Sequence, residues 1–329
     1  MVAGAIHKAG MASGLPAGVF SHLTGPGIEL GTALVNDPAI AAVGFTGSRA
    51  GGLALVRLAQ AREVPIPVFA EMSSINPVLL LPEALRARGA ALGKAFVGSL
   101  TMGAGQFCTN PGLLLAIESE GLDAFVSAAS EAVANAAAQT MLTGAIQAAY
   151  EKSVDALQHK HTVSTIAQGL ESDGASGGRA TFFATSGKAF LADKTLAQEI
   201  FGASSLLVHC TDEAELRSVL EAAEGQLTTT LQLDDGDTAM AARLLPLLER
   251  KSGRILVNGW PTGVEVTHAM VHGGPYPATS DGRSTSVGSL AIDRFLRPVS
   301  YQNFSPALLP AVLRDDAGLP RLLDGIPNG

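Results

Sequence analysis

The stretch Val43-Gly-Phe-Thr-Gly-Ser-Arg-Ala-Gly-Gly52 decides the fold, because an apolar run passes through a glycine turn into a helical pattern. Ile40 to Phe45 predicts a strand, and Thr46-Gly47 predicts the turn. Ser48 predicts a helix N-cap, since its hydroxyl can accept a hydrogen bond from the first turn. Val68 to Glu71 predicts the next strand. Strand, glycine turn, helix and strand are typical of a doubly wound α/β sheet.

The rest of the chain repeats this alternation. Apolar runs predict strands at Ala17 to Leu23, Leu113 to Ile117, Ser204 to Val208, Leu227 to Leu233, and Ile255 to Val257. Helical periodicity predicts helices at Met1 to Lys8, after Gly27, from Pro82 to Phe96, from Leu122 to Val133, after Asp212, and from Ala239 to Leu248. The glycine-rich stretch from Gly98 to Gly112 predicts the end of a helix, and Asn258 to Arg283 predicts a long irregular loop. These patterns predict a second α/β domain.

Composition excludes several classes of protein. The chain has 329 residues and 47% hydrophobic residues, enough for two or three domains with a sizeable core. The net charge is −8 and no basic cluster stands out, which argues against nucleic acid as a partner. No apolar segment is long enough to predict a membrane span. The two cysteines do not suggest a disulfide framework, so a reducing cytoplasm is the expected location.

Two residues combine reactive chemistry with an unusual setting. Cys108 lies in the glycine-flanked segment Gly103-Ala-Gly-Gln-Phe-Cys108-Thr-Asn-Pro-Gly112, and Glu71 ends a predicted strand. A thiol and a carboxylate are what covalent catalysis with a general base requires. The apolar neighbours Phe69 and Met72 predict a raised pKa for Glu71. The alternatives are a buried, inert cysteine, as we expect for Cys210, and a strand-end glutamate in a salt bridge.

No metal is expected. His159-Lys-His161 has the composition of a metal-binding pair, but no cysteine stands close to it in the sequence. Such an isolated pair is more often structural.

Four motifs, in order, resemble those of the aldehyde dehydrogenase family from end to end of the chain. They are Val43-Gly-Phe-Thr-Gly-Ser48, the segment that Glu71 opens, Gly105-Gln-Phe-Cys108, and Glu199-Ile-Phe-Gly202. Their variants are similar to the 2,5-dioxovalerate (α-ketoglutaric semialdehyde) dehydrogenase branch. The resemblance implies an aldehyde dehydrogenase-like α/β fold, with a partial Rossmann-type dinucleotide domain and an α/β catalytic domain.

The resemblance also implies roles for particular residues. Cys108 would be the nucleophile and Glu71 the general base. The cofactor, NADP or NAD, would contact Gly25, Pro26, Gly47, Ser48, Glu199 and Phe201. The small-molecule aldehyde would contact Gln106, Phe107, Thr109, Thr262 and Val264. The domains would be a remnant of the dinucleotide domain at 1–72, the catalytic domain at 73–288, and an assembly strand with a tail at 289–329.

Family members carry a longer N-terminal portion, so we expect this chain to be a shortened form of an enzyme that is a homo-oligomer at full length. That portion includes an oxyanion-hole Asn and a Lys that contacts the adenosine ribose. Two alternatives to a working dehydrogenase therefore stay open. One is a catalytically silent fragment that does not bind dinucleotide productively. The other is a thiol-dependent esterase that needs no cofactor.

Overall fold

The computed structural model describes residues 1–172, 174 and 176–328. Clustering of backbone contacts gives two compact units, Met1–Arg294 and a short C-terminal unit that begins at Phe295. Among the described residues, no helix combines the length and the apolar character needed to cross a bilayer.

Helices and strands alternate along most of the chain. The helices are α1 (Val2–Ala12), α2 (Gly27–Asn36), α3 (Arg49–Gln60), α4 (Pro82–Thr101), α5 (Leu122–Ala134), α6 (Gly144–Gln158), α7 (Gly187–Ala192), α8 (Glu213–Ala222) and α9 (Thr238–Lys251). The strands are β1 (Val43–Thr46), β2 (Val68–Glu71), β3 (Val78–Leu80), β4 (Leu113–Ile117), β5 (Gln139–Thr140), β6 (Ser164–Gln168), β7 (Gly177–Gly178), β8 (Thr181–Ser186), β9 (Ser204–Cys210), β10 (Gln226–Gln232), β11 (Ser252–Val257), β12 (Arg321–Leu323) and β13 (Ile326–Asn328).

A seven-stranded sheet forms the centre of the first unit, in the order β11-β10-β3-β4-β9-β8-β6. Its neighbours are parallel except for the antiparallel pair β6 and β8. Alternate residues of β3 point to opposite faces: Val78 and Leu80 join one core cluster, and Leu79 joins the other. Phe96 of α4 packs into the first cluster and Leu244 of α9 into the second. Helices thus cover both faces, which explains why the strands are continuous apolar runs.

A smaller parallel sheet of β1 and β2 precedes the large one. The helix α3 connects the two strands, and Ser48 accepts a hydrogen bond from the backbone N–H of Gly51 at its N-terminus. Ala59, Val68 and Ala70 lie in a separate core beneath it. The predicted α/β class, and the strand–turn–helix unit on which that prediction depends, are confirmed.

Two local predictions are wrong. Ala17 to Leu23 is irregular rather than a strand, because most of its residues are exposed and no described strand pairs with it. The helix α4 continues past Gly98 to Thr101: Gly98 faces open space, whereas Val97 and Leu100 are buried. A glycine on an exposed helix face costs only about 1 kcal/mol, which this burial offsets. The assembly strand within 289–329 stays a prediction, since it would pair with another chain.

Candidate active site

Cys108 lies in the loop between α4 and β4, directly after a 3₁₀ turn at Met102–Gly105. Gly105 fixes the path of this loop. Its φ is +69°, and a Cβ there would lie 2.2 Å from the backbone nitrogen of Ala203. Only glycine fits such a position without displacing the backbone. The thiol that follows is half-buried, and neither cysteine forms a disulfide.

Glu71 is the last residue of β2 and is 5% exposed. Its backbone is held from two sides. Its carbonyl oxygen accepts a hydrogen bond from the N–H of Gly47 at 3.1 Å, and it pairs with Thr279 in an antiparallel bridge. The end of β2 therefore places the carboxylate of Glu71 in the interior, between the small sheet and the loop at Asn258 to Arg283.

His272 joins the predicted nucleophile to the predicted base. Its Nε2 lies 3.2 Å from Sγ of Cys108 and 3.1 Å from Oε1 of Glu71. The side chain is buried, and its Nδ1 has no hydrogen-bond partner among the described residues. Sequence reasoning missed this residue. The one available signal was its place in the glycine- and histidine-rich loop predicted from Asn258 to Arg283.

Ser286 fixes both members of the buried pair. Its hydroxyl lies 2.5 Å from Oε2 of Glu71 and 2.9 Å from the carbonyl oxygen of His272. The backbone N–H of His272 donates to Oγ1 of Thr285 at 2.8 Å. The histidine and the carboxylate are therefore oriented before any substrate arrives, as a preorganised site requires.

The pKa of Glu71 in its contact with His272 differs from the raised value that the sequence predicted. Burial alone would raise the pKa of Glu71. Hydrogen bonds from His272 and Ser286 and the positive charges of His272 and Arg294 outweigh burial, so the pKa of Glu71 is lowered. Burial likewise works to lower the pKa of His272. Its hydrogen bonds to Cys108 and Glu71 and the charges of both raise that pKa to about 9. The raised pKa predicted for Glu71 is wrong, because apolar neighbours in sequence do not reveal a cation brought in by a distant loop.

Stability should consequently depend on pH through His272. The pKa of His272 rises from 6.5 to about 9 on folding, so the stabilisation is fully present below pH 6.5 and is lost as pH rises through about 9. We expect the difference in free energy of unfolding between the wild type and His272→Gln to shrink across that window. Urea unfolding of both proteins at several pH values measures it. A difference that grows with pH would contradict the assigned ion pair.

A buried amide network supports the loop that carries Cys108. Oε1 of Gln226 accepts hydrogen bonds from the backbone N–H groups of Ile75 and Asn76 and from the hydroxyl of Ser74. The side-chain amide of Asn76 in turn donates to the carbonyl oxygen of Cys108 at 2.9 Å. The strand β10 thereby fixes the segment after Glu71 and the nucleophile loop together.

Gln226→Leu should therefore destabilise the fold by about 2–5 kcal/mol, since it leaves two buried N–H groups unpaired. Gln232→Leu on the same strand is the matched control. Among the described residues, the side chain of Gln232 makes one hydrogen bond, to the carbonyl oxygen of Gly259, so its replacement should cost about 1 kcal/mol. Urea unfolding of both variants is the measurement. Equal losses would mean that the network does not hold the site.

Two of the predicted cofactor residues, Glu199 and Phe201, line a cavity next to the nucleophile loop. Phe107, a predicted substrate residue, also lines it, together with Ser74 and Ile75. Burial raises the pKa of Glu199 to about 7, although the backbone N–H of Ser74 and the charge of Arg49 lower it. A carboxylate in such a cavity can accept hydrogen bonds from ribose hydroxyls, so these residues fit a dinucleotide.

The other predicted cofactor residues lie at two exposed helix N-termini. Gly47 and Ser48 form the turn into α3, and Gly25 and Pro26 precede α2. The positive end of a helix dipole at an open glycine turn suits a phosphate group. Arg49, the first residue of α3, donates to Oγ of Ser73 at 2.8 Å, which ties this turn to the segment after Glu71.

The predicted substrate residues fall into different environments. Gln106 is engaged by its own loop and accepts a hydrogen bond from the N–H of Leu142. Thr109 is fully buried, with no partner for its hydroxyl among the described residues. Thr262 lies 2.6 Å from the hydroxyl of Ser99 on α4, and Val264 is half-buried in the same loop.

Cys210 is the other free thiol, and its setting is inert. It ends β9, fully buried in the sheet. Burial first, and then the charges of Glu215 and Asp212, raise the pKa of its thiol to about 12. The structural role predicted for this cysteine agrees with that placement, and Cys210 serves as a control for Cys108.

A half-buried thiol paired with an imidazole and a carboxylate is the arrangement of enzymes that form covalent intermediates on a cysteine. Residues 1–291 match the aldehyde dehydrogenase family, and the chain belongs to that family. It is 54% identical over 329 residues to alpha-ketoglutaric semialdehyde dehydrogenase 2 of Azospirillum brasilense and 48% identical to alpha-ketoglutaric semialdehyde dehydrogenase of Acinetobacter baylyi. Both alignments cover 99% of this chain but 62% of the relative, so the chain spans less than two thirds of their length.

Solved structures have the same fold at low sequence identity. Gamma-glutamyl-gamma-aminobutyraldehyde dehydrogenase from Burkholderia cenocepacia superposes with a TM-score of 0.74 at 19% identity, over 89% of this chain and 58% of its own. The aldehyde dehydrogenase KauB from Pseudomonas aeruginosa gives 0.73 at 20% identity, over 90% of this chain and 59% of its own. The aldehyde dehydrogenase-like α/β fold predicted from the motifs is confirmed.

Proposed function

We propose that this chain carries the catalytic centre of an NAD(P)⁺-dependent aldehyde dehydrogenase that oxidises 2,5-dioxovalerate to 2-oxoglutarate. The observation that carries the proposal is the contact of His272 with both Cys108 and Glu71, beside a cavity that contains Glu199. The substrate rests on the names of the two relatives at 54% and 48% identity.

Cys108 attacks as a thiolate, the nucleophilic form of a thiol, with Nε2 of His272 3.2 Å from its sulfur. The sulfur forms a bond to the aldehyde carbon, and the carbonyl oxygen becomes an oxyanion. The backbone N–H of Cys108 is the proposed donor to that oxygen. A bound nicotinamide supplies the acceptor for the hydride that leaves the carbon. Cys108 is then a thioester.

Glu71 and His272 act together in the second half of the reaction. Acylation removes the negative charge on sulfur, and with it one of the attractions that raise the pKa of His272. The imidazolium then loses its proton to solvent more readily, and the pair can accept a proton from the attacking water. The hydroxide equivalent attacks the thioester carbon, the carbon–sulfur bond breaks, and the acid leaves while the thiolate re-forms next to His272.

The loop at Asn258 to Arg283 would form one wall of the substrate site. Arg254 on β11 donates to the carbonyl oxygens of Pro261 and Gly263, on either side of Thr262. These hydrogen bonds hold Thr262 and Val264 in place, which supports their proposed contact with the aldehyde. Gln106, Phe107 and Thr109 are proposed for the opposite side because they flank the thiol.

We further propose that the enzyme works in the cytoplasm and assembles as a homo-oligomer at full length. Gly25, Pro26, Gly47, Ser48, Glu199 and Phe201 remain the proposed cofactor contacts.

Steady-state oxidation of 2,5-dioxovalerate, with NAD⁺ and NADP⁺ in parallel, tests the proposed activity. Pentanal is the matched substrate, since it has similar length and lacks the distal carboxylate. Faster turnover of the dicarbonyl acid with either dinucleotide supports the proposal. Ester hydrolysis that needs no dinucleotide, without aldehyde oxidation, would favour a thiol esterase. Neither activity in a folded sample would favour a silent fragment.

A further inference from the structure

The three side chains of the candidate active site also have the composition of a metal site. Donor atoms of Glu71, Cys108 and His272 all lie within 4.8 Å of one another. A thiolate, an imidazole and a carboxylate are ligands that Zn²⁺ accepts together. Mg²⁺ and Ca²⁺ prefer oxygen ligands, so the sulfur selects against them.

The spacing is close to that of a coordination tetrahedron. With ordinary zinc–sulfur and zinc–nitrogen bond lengths, the edge between the two donors is about 3.5 Å, and the nitrogen–oxygen edge is about 3.4 Å. The observed separations are 3.2 Å from Cys108 Sγ to His272 Nε2 and 3.1 Å from that nitrogen to Glu71 Oε1. An ion could enter if Nε2 of His272 moved a few tenths of an ångström away from each of the other two donors, whose own separation is within 4.8 Å.

We propose that Glu71, Cys108 and His272 form a reversible Zn²⁺ site that blocks the thiol while the metal is bound. The three ligands bind as a thiolate, a neutral imidazole and a carboxylate, so their two negative charges balance the ion. Any protons that they carry pass to solvent. The fourth position stays open for water, and neither the nucleophile nor the base is free to act. This site goes beyond the proposed dehydrogenase activity and does not depend on it.

The surroundings fit a reversible rather than a resident metal. Ser286 orients Glu71 from behind, as outer-shell hydrogen bonds do in metal sites. The buried Nδ1 of His272, however, has no acceptor among the described residues, whereas the second nitrogen of a resident ligand histidine is almost always hydrogen-bonded. The ligands therefore have only part of the outer-shell hydrogen bonding of a permanent metal site, so a chelator should remove the metal.

Cobalt(II) absorption spectroscopy of the full chain tests the site, because a thiolate ligand gives a charge-transfer band and four-coordinate cobalt gives intense visible bands. We expect the charge-transfer band and the visible bands in the wild type, and we expect one equivalent of Zn²⁺ to abolish them. Cys108→Ser should lose the charge-transfer band. His272→Gln and Glu71→Gln should each weaken binding more than Ser286→Ala, for which we expect a loss of about 10- to 100-fold.

Matched controls separate this cluster from other donors. Cys210→Ser removes the other thiol, and His268→Gln removes a histidine of the same loop, whose Nδ1 contacts Ser289 instead. Both should keep the wild-type spectrum. Circular dichroism checks that every variant is folded.

A second readout needs no variant. Zn²⁺ should protect Cys108 from iodoacetamide in peptide mapping of the wild type, and a chelator should restore alkylation. No charge-transfer band and no protection in folded wild type would overturn the proposal, as would a band that Cys210→Ser abolishes. Loss of dehydrogenase activity alone would leave the cobalt spectrum unchanged, so failure of the proposed function and failure of the metal site are distinguishable.

Discussion

Cys108→Ser is expected to lower aldehyde oxidation by about 10⁴-fold or more, since it removes the proposed nucleophile, on which every later step of the proposed mechanism depends. A serine hydroxyl next to His272 is nearly the same size as the thiol, but it is a far weaker nucleophile at neutral pH. The loss should appear in the rate of the first turnover as well as in steady state. Rapid mixing with excess dinucleotide measures both.

Cys210→Ser is the control for this prediction. Cys210 is buried in β9, away from His272, and its thiol is kept protonated by burial. We expect this variant to keep its activity within a few fold. Equal losses in the two variants would point to a general effect on folding, and full activity of Cys108→Ser would remove Cys108 from the mechanism.

Glu71→Gln should lower steady-state turnover by about 10²–10⁴-fold, the usual range for loss of a general base. The amide keeps the hydrogen bond with Ser286 and leaves His272 beside Cys108, but it has no negative charge with which to assist proton removal from the attacking water. We expect acylation to continue and hydrolysis to stop, so a burst of reduced dinucleotide should be followed by a very slow phase. Stopped-flow absorbance resolves the two phases.

Glu213→Gln provides the comparison for a lost carboxylate. Glu213 pairs with Arg243 on the surface, where an ion pair contributes about 0–1 kcal/mol. Its replacement should change neither the burst nor the slow phase. If Glu71→Gln instead lost the burst and kept the slow-phase rate, Glu71 would serve the attack of the thiol and not the hydrolysis.

The apolar runs were sufficient to predict most of the scaffold. Val68–Glu71 and Leu113–Ile117 are strands with the predicted bounds, because consecutive apolar residues are buried on both faces of a sheet. Ala17 to Leu23 has a similar composition but no neighbouring strand among the described residues, and apolar composition alone does not supply a hydrogen-bonding partner.

The candidate site was only partly predictable. The sequence motifs predicted Cys108 and Glu71 as site residues, but His272 is separated from Glu71 by 201 positions and approaches it through an irregular loop. No periodicity describes such a loop, so the histidine, and the ionisation that it imposes on Glu71, became visible only with the fold. Thr109 illustrates the converse: its proximity in sequence to Cys108 gave no indication that its side chain is fully buried.

The most direct test of the proposed thioester mechanism is intact-protein and peptide mass spectrometry of Glu71→Gln. The reaction is quenched in acid after one turnover with aldehyde and dinucleotide. We predict an acyl group on the peptide that contains Cys108. The mass of that peptide should increase by the mass of the aldehyde less two hydrogen atoms. The adduct should be absent when dinucleotide is omitted. Production of reduced dinucleotide with no acyl group on Cys108 would contradict the thioester mechanism and the assignment of this cysteine as the nucleophile.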